Sequence, residues 1–123
     1  MRLNNSEWKV MQVVWDGPPV AARDVHDALS AETGWAYTTV KTLLERLVEK
    51  GALRAAREGR ATSYEPVLER GDARRSAVHN LVDQAFGGAV TPLLRFLSTD
   101  ERLSASERAE LSRLLEQAED DDR

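Results

Sequence analysis

Thr38, Thr39, Lys41 and Thr42 stand almost side by side in the chain, with Arg46 one helical turn beyond Thr42. On a helix such a set could do recognition chemistry. Hydroxyls bond phosphate oxygens or base edges, a threonine methyl packs on the thymine methyl, and Lys or Arg reaches guanine acceptors or phosphates. Arg60, directly after Gly59, offers a further cation at a tight turn. The same pattern also suits a merely solvated polar face, and the residue types alone leave both readings open.

Other side chains capable of reaction lack partners. Asp24 and Asp27 flank His26, but no nucleophile completes a catalytic constellation, so no enzymatic activity is expected. His26 and His79 lie far apart and the chain has no cysteine, which excludes disulfides, thiol chemistry and thiolate metal sites. Neither a metal nor a cofactor is expected. Asn4-Asn5-Ser6 matches a glycosylation pattern, yet reads better as a helix cap in a cytosolic chain. Gly87-Gly88 sits in no strand-to-helix phosphate loop and reads as a turn. Trp8, Trp15 and Trp35 read as core residues rather than base-stacking platforms, since the first two fall on an apolar helix stripe.

The chain has 123 residues, 41% apolar and 31% charged, with a formal charge of −4. That composition suits one small domain, or a small domain with an appendage. Residues 1–66 hold 9 basic and 9 acidic side chains, whereas residues 67–123 hold 8 and 12. The acidic excess therefore lies in the second part. Between Thr38 and Ser63, Lys41, Arg46, Lys50, Arg54, Arg57 and Arg60 outnumber Glu45, Glu49 and Glu58. A net-acidic protein can still hold a basic face, but its overall charge argues against indiscriminate coating of DNA. No apolar run is long enough to insert directly into a membrane, and the start lacks the apolar core of a signal peptide, so a cytoplasmic location is expected.

The elements that would position these side chains can be traced. Asn4 and Glu7 form a capping box with Leu3 as staple onto Trp8, opening a helix with Trp8, Met11, Val14 and Trp15 on one side. Gly17-Pro18-Pro19 ends it. A second helix fits residues 23–29, with Val25, Ala28 and Leu29 inward, although Ala21 brings no capping oxygen; Glu32-Thr33-Gly34 reads as a turn. A third helix spans about 38–50. Val40, Leu43, Leu44, Leu47 and Val48 cluster on one side, Thr38, Thr42, Glu45 and Glu49 lie opposite, and Lys41 and Arg46 flank that polar face. Beyond the groove-reading half, Glu45 and Glu49 are expected to face Lys or Arg neighbours. Two short runs on either side of Gly59-Arg60 read as a β-hairpin closed by Pro66.

Beyond Pro66 three helices follow. Ala77, Val78, Leu81, Val82, Ala85 and Phe86 mark one, Val90, Leu93, Leu94 and Leu97 the next, and a Ser104–Glu107 capping box opens the last, with Leu111, Leu114, Leu115 and Ala118 inward. So short a segment cannot bury all these stripes by itself, so Leu81, Val82, Phe86, Leu93, Leu94, Leu97, Leu111, Leu114 and Leu115 are expected to meet a second copy of the chain. The fold class is mainly α with a small β-hairpin: a winged helix-turn-helix over residues 1-66, a helical dimerisation segment over 67-118 and an acidic tail over 119-123. In that arrangement the third helix enters the major groove and the hairpin, or wing, lies on backbone or minor groove. The DNA-binding candidates are Thr38, Thr39, Lys41, Thr42, Arg46 and Arg60, with Arg54 and Arg57 adding attraction. A winged module that only mediates protein association is the competing reading, favoured by the neutral first 66 residues.

Trp8-Lys9-Val10-Met11, Gly34-Trp35-Ala36-Tyr37-Thr38-Thr39-Val40-Lys41-Thr42-Leu43-Leu44, Arg46-Leu47-Val48-Glu49-Lys50-Gly51 and Gly59-Arg60-Ala61 together resemble the penicillinase repressor family, over at least residues 3–117. The resemblance implies a homodimeric repressor of a pseudo-palindromic double-stranded DNA operator, controlling β-lactam resistance or a related stress response, dimerised through its C-terminal helices. It also implies release by proteolytic cutting, which in relatives falls at an Asn-Phe bond of the dimerisation region and is triggered by a membrane-bound sensor protease that detects β-lactam. Here the corresponding pair is Arg95-Phe96, the candidate regulatory cleavage site, and the departure points to a different cleavage specificity. Copper-responsive relatives carry a C-terminal cysteine cluster that this chain lacks.

Overall fold

The computed structural model describes residues 1–121, the side chains of 115 and 118–121 excepted. In chain order the elements are α1 (Asn5–Asp16), β1 (Val20–Ala21), α2 (Ala22–Thr33), α3 (Tyr37–Lys50), β2 (Leu53–Glu58), β3 (Ala61–Pro66), α4 (Arg70–Ala85), α5 (Val90–Thr99) and α6 (Ala105–Asp121). They fall into two compact units, Met1–Ala77 and Val78–Arg123.

The first unit is a helical triad on a small antiparallel sheet of order β1-β3-β2. Its core joins Val10, Met11 and Val14 of α1, Val25 and Leu29 of α2, Val40, Leu43, Leu44 and Leu47 of α3, and Leu53 and Tyr64 of the hairpin. Fully burying one such aliphatic side chain contributes about 1.5–3 kcal/mol. The Asn4–Glu7 capping box forms as expected: Oδ1 of Asn4 accepts from the Glu7 amide at 2.8 Å, and Oε1 of Glu7 accepts from the Asn4 amide at 2.9 Å. Glu7 does more than cap. It is only 1% exposed, and its Oε1 also receives Lys50 Nζ at 2.7 Å, tying the start of α1 to the end of α3.

β1 has no counterpart in the sequence reading. Two residues after Pro18-Pro19 are too few to display a strand period, and they pair only because β3 offers a free edge, with Val20 opposite Tyr64 and Ala21 opposite Ser63. Helix α2 runs beyond its expected end at Leu29 and reaches Thr33, inside the turn expected at Glu32-Thr33-Gly34. Thr33 Oγ1 donates to the Leu29 carbonyl at 2.8 Å, and Gly34, at φ 65°, sends its amide to the Ser30 carbonyl as a left-handed cap. Ala28 faces outward rather than inward, and Ala22 takes an inward position on that helix. Ala21, lacking a side-chain oxygen, receives instead a carboxylate from Asp24, which accepts from its amide at 3.2 Å.

Past the hairpin, α4 begins at Arg70, well before the expected Ala77. The polar stretch there hid the helix. It is held by buried Ala73, by an Arg70–Asp16 ion pair, and by the Arg70 guanidinium 5.5 Å from the Trp15 ring centroid. Trp15 itself donates from Nε1 to the Leu68 carbonyl at 2.9 Å. In the second unit, Gly87 and Gly88 take φ 57° and 84° and turn the chain after α4. The Ser104 box opens α6: Ser104 Oγ accepts from the Glu107 amide at 3.1 Å and Glu107 Oε1 accepts from the Ser104 amide at 2.9 Å. Donation to the carboxylate from the Ser104 amide, and secondarily from the Ser104 hydroxyl, holds the Glu107 carboxyl below the usual glutamate pKa. Residues 119–121 of the expected acidic tail continue α6, and residues 122–123 lie outside the described residues.

Candidate nucleic-acid interface

Helix α3 is fixed at its C-terminal end. Its C-terminus closes in a Schellman motif, with Ala52 donating to the Leu47 carbonyl at 2.9 Å and Gly51, at φ 86°, donating to Val48 at 3.0 Å. Its N-cap is Ala36, which makes no side-chain cap bond. Between these ends Val40, Leu44 and Leu47 are fully buried, so the opposite side of the helix must face out.

The structure puts Thr38, Thr39 and Thr42 on that outer side, all exposed, with Arg46 exposed on one flank and Lys41 half-buried on the other. Thr42 Oγ1 donates to the Thr38 carbonyl at 2.9 Å. The hydroxyl proton is thereby committed to the backbone, which leaves the oxygen lone pairs and the methyl group for a ligand. Glu45 and Glu49 are exposed, but neither forms an ion pair among the described residues, contrary to expectation. Lys41 stands N-terminal to Glu45, the weaker order for such a pair, and Lys50 is taken by Glu7.

The hairpin follows the expected register, Leu53 opposite Pro66 through Glu58 opposite Ala61. That leaves Gly59-Arg60 as a two-residue turn. Gly59 has φ 62° and Arg60 does not have positive φ, the pattern of a type II′ turn. Arg60 is exposed at the tip, and Arg57 is exposed on the strand face that also carries Leu53 and Tyr64. Arg54 departs from the expected role. Its Nε donates to Glu65 Oε1 at 2.8 Å across the strands, so its charge is already compensated. Of the six basic residues between Thr38 and Ser63, Lys41, Arg46, Arg57 and Arg60 remain without an acidic partner among the described residues.

A cluster on the edge of α3 escaped the sequence reading. The Arg23 guanidinium lies 5.8 Å from the centroid of the Tyr37 ring, and His26 packs edge-on to the same ring at 6.1 Å. His26 Nε2 pairs with the Trp35 carbonyl at 3.0 Å. Nothing in the spacing of α2 and α3 along the chain signals this meeting, because it depends on the crossing of the two helices.

In the second unit the apolar candidates differ in availability. Leu81 and Leu114 are exposed, Phe86, Leu93, Leu94, Leu97 and Leu111 are half-buried, and Val82, at 7% exposure, is already packed within the chain. The side chain of Leu115 lies outside the described residues. Leu97, Leu103, Leu111 and Leu114, with Glu107 and Glu110, line an open groove of about 300 Å³. Arg95 and Phe96 are exposed within α5, Phe96 at 58%, and the Arg95 carbonyl accepts from Ser98 Oγ at 2.8 Å. Among the described residues no group of acidic or imidazole side chains could hold a metal, and no helix is long and apolar enough to cross a membrane.

Known proteins share this organisation. The family described as "Penicillinase repressor" matches residues 3–117. The chain is 36% identical to the "Transcriptional regulator BlaI" of Mycobacterium tuberculosis, over 96% of this chain and 86% of that one. It is 32% identical to the "Penicillinase repressor" of Bacillus licheniformis, over 94% and 91% respectively. The solution structure of the Bacillus licheniformis BlaI monomeric form, in complex with the blaP half-operator, superposes with TM-score 0.52 and 33% identity, covering 58% of this chain and 88% of that one. The matched positions, the three-helix core and the two-residue wing agree on one assignment: this chain belongs to the penicillinase repressor family.

Proposed function

We propose that the protein is a homodimeric transcriptional repressor that binds a pseudo-palindromic double-stranded DNA operator in the cytoplasm. The observation that carries this reading is the outer face of α3, where Thr38, Thr39 and Thr42 are exposed opposite a fully buried stripe. In this reading these threonines and Lys41 meet base edges in the major groove, Arg46 meets phosphate, and Arg60 meets backbone or minor groove. The relative whose structure contains a half-operator supports the choice of DNA over a protein partner.

Dimerisation is the role proposed for the second unit. Support comes from Val78, Leu81, Val90, Phe96 and Leu114, large apolar side chains each about half exposed in the single chain. Two winged domains held about one DNA turn apart match an operator with two-fold symmetry. Control of β-lactam resistance or a related stress response, with release by a membrane-bound sensor protease cutting near Arg95-Phe96, completes the proposal.

Duplexes selected from a random library by the full chain test it, with binding measured at two salt concentrations and stoichiometry by sedimentation. Enrichment of inverted repeats bound by two chains is expected. Failure to enrich any duplex would sink the DNA reading and favour a protein-association module.

A further inference from the structure

We propose that Arg23 is a DNA-backbone phosphate contact and that Tyr37 is its positioning residue. The inference rests on the reading of α3 as the DNA-reading helix. Arg23 is exposed in the first turn of α2, yet its guanidinium is held 5.8 Å from the centroid of the Tyr37 ring, at the first residue of α3. A cation over an aromatic face keeps its in-plane N–H donors free, and a planar fork of donors suits phosphate oxygens.

The acidic neighbours of Arg23 are engaged elsewhere. Asp24 accepts from the Ala21 amide and Asp27 lies beside His26, and among the described residues no carboxylate pairs with Arg23. The ring beneath it is itself braced, by the edge-on contact from His26, whose Nε2 meets the Trp35 carbonyl just before α3. Arg23 is therefore a pre-oriented cation rather than a freely waving one, and less ordering is lost when it binds.

Its position supplies what one edge of the interface lacks. At about 100° per residue, Tyr37 and Lys41 project from the same flank of α3, opposite the flank of Thr39 and Arg46. A helix in the major groove has one phosphate strand at each side. Without Arg23 the Lys41 flank carries a single half-buried lysine, and with it that strand meets two cations.

The test uses the full chain and a duplex that the wild type selects from a random library. Arg23→Ala should reduce the slope of log affinity against log salt by about 0.9 for each winged domain bound, so that its binding defect per domain is roughly 3.5-fold larger at 50 mM than at 200 mM salt. Sequence preference should not move. Tyr37→Ala should lose part of the same slope in the wild-type background and little in the Arg23→Ala background. Tyr37→Phe, which keeps the ring, should restore it. Circular dichroism of each variant separates these losses from unfolding. Unchanged affinity and slope in a folded Arg23→Ala variant would overturn the phosphate contact. Equal losses from Tyr37→Ala in both backgrounds would overturn the positioning role. A wild-type chain that enriches no duplex would overturn the DNA reading and this inference together, which a wild type that binds normally beside an indifferent Arg23→Ala does not.

Discussion

Thr42 has committed its hydroxyl proton to the Thr38 carbonyl, so in the proposed interface it would offer a base an acceptor and a methyl group. Thr42→Ala is therefore expected to shift preference among operator variants at one position, by roughly 1–3 kcal/mol if a base contact is lost. Competition binding with single-position operator variants checks this, and an unchanged preference would remove Thr42 from the reading face. Arg60 predicts the opposite signature. Its substitution by Ala should weaken all sequences by similar factors and lower the salt slope by about 0.9 per wing, measured by anisotropy titration across salt. These candidates were legible because threonines and cations stood opposite a leucine stripe at helical spacing. Arg54 was misjudged because Glu65 stands directly across the hairpin from it, a register that charge counting along the chain ignores.

At the level of elements, capping boxes wrote themselves plainly into the sequence, and both formed. The Glu107 carboxyl is held low by Ser104, so the stability it lends is fully present above the ordinary glutamate pKa and disappears as pH falls through the lowered folded value. Helicity of α6 should drop across that acidic window, and Glu107→Gln should remove most of the pH dependence, since the main donor to the carboxylate is the Ser104 backbone amide; a Glu107→Gln titration identical to wild type would refute the assignment. Glu7 is a second case: its capping role was legible, but its burial and its link to Lys50 were not, because a glutamate in a first turn usually faces water. Glu7→Ala should cost roughly 1–3 kcal/mol in denaturant unfolding, since it leaves the Asn4 amide unpartnered and the Lys50 link broken. What stayed hidden were elements without an apolar period: β1, too short to have one, and the first half of α4, whose polar residues are fixed by Trp15 and Asp16 from far along the chain.

For the whole molecule, the exposed apolar side chains of the second unit predict association. Sedimentation should give a dimer at micromolar concentration, and a stable monomer there would overturn the homodimer. A chain shortened to residues 1–77 should remain folded and monomeric, because it keeps Leu68, Arg70 and Ala73, which a cut after Pro66 would discard along with the support of Trp15. Release should act on the second unit. Pro92 falls in the first turn of α5, Gly87-Gly88 precedes it, and no residue of α5 is fully buried, so local opening near Arg95-Phe96 is cheap. Mass spectrometry of the protein from β-lactam-treated cells should find fragments ending in that helix; derepression with the chain intact would point instead to a ligand or a partner.

The locked C-terminal end of α3 bears on what such a release can achieve. The Schellman closure at Gly51 and the Lys50–Glu7 link hold the helix without any help from residues beyond Ala77. Cutting α5 would therefore leave each reading head intact, still recognising its half-site with undiminished intrinsic affinity. What vanishes is the effective concentration that one bound head imposes on the other, a factor that commonly reaches 10²–10⁴ in overall avidity. Under the proposed cleavage of a dimer, derepression would be a change of valency, and a cell could restore repression simply by making enough of the fragment to fill each half-site independently.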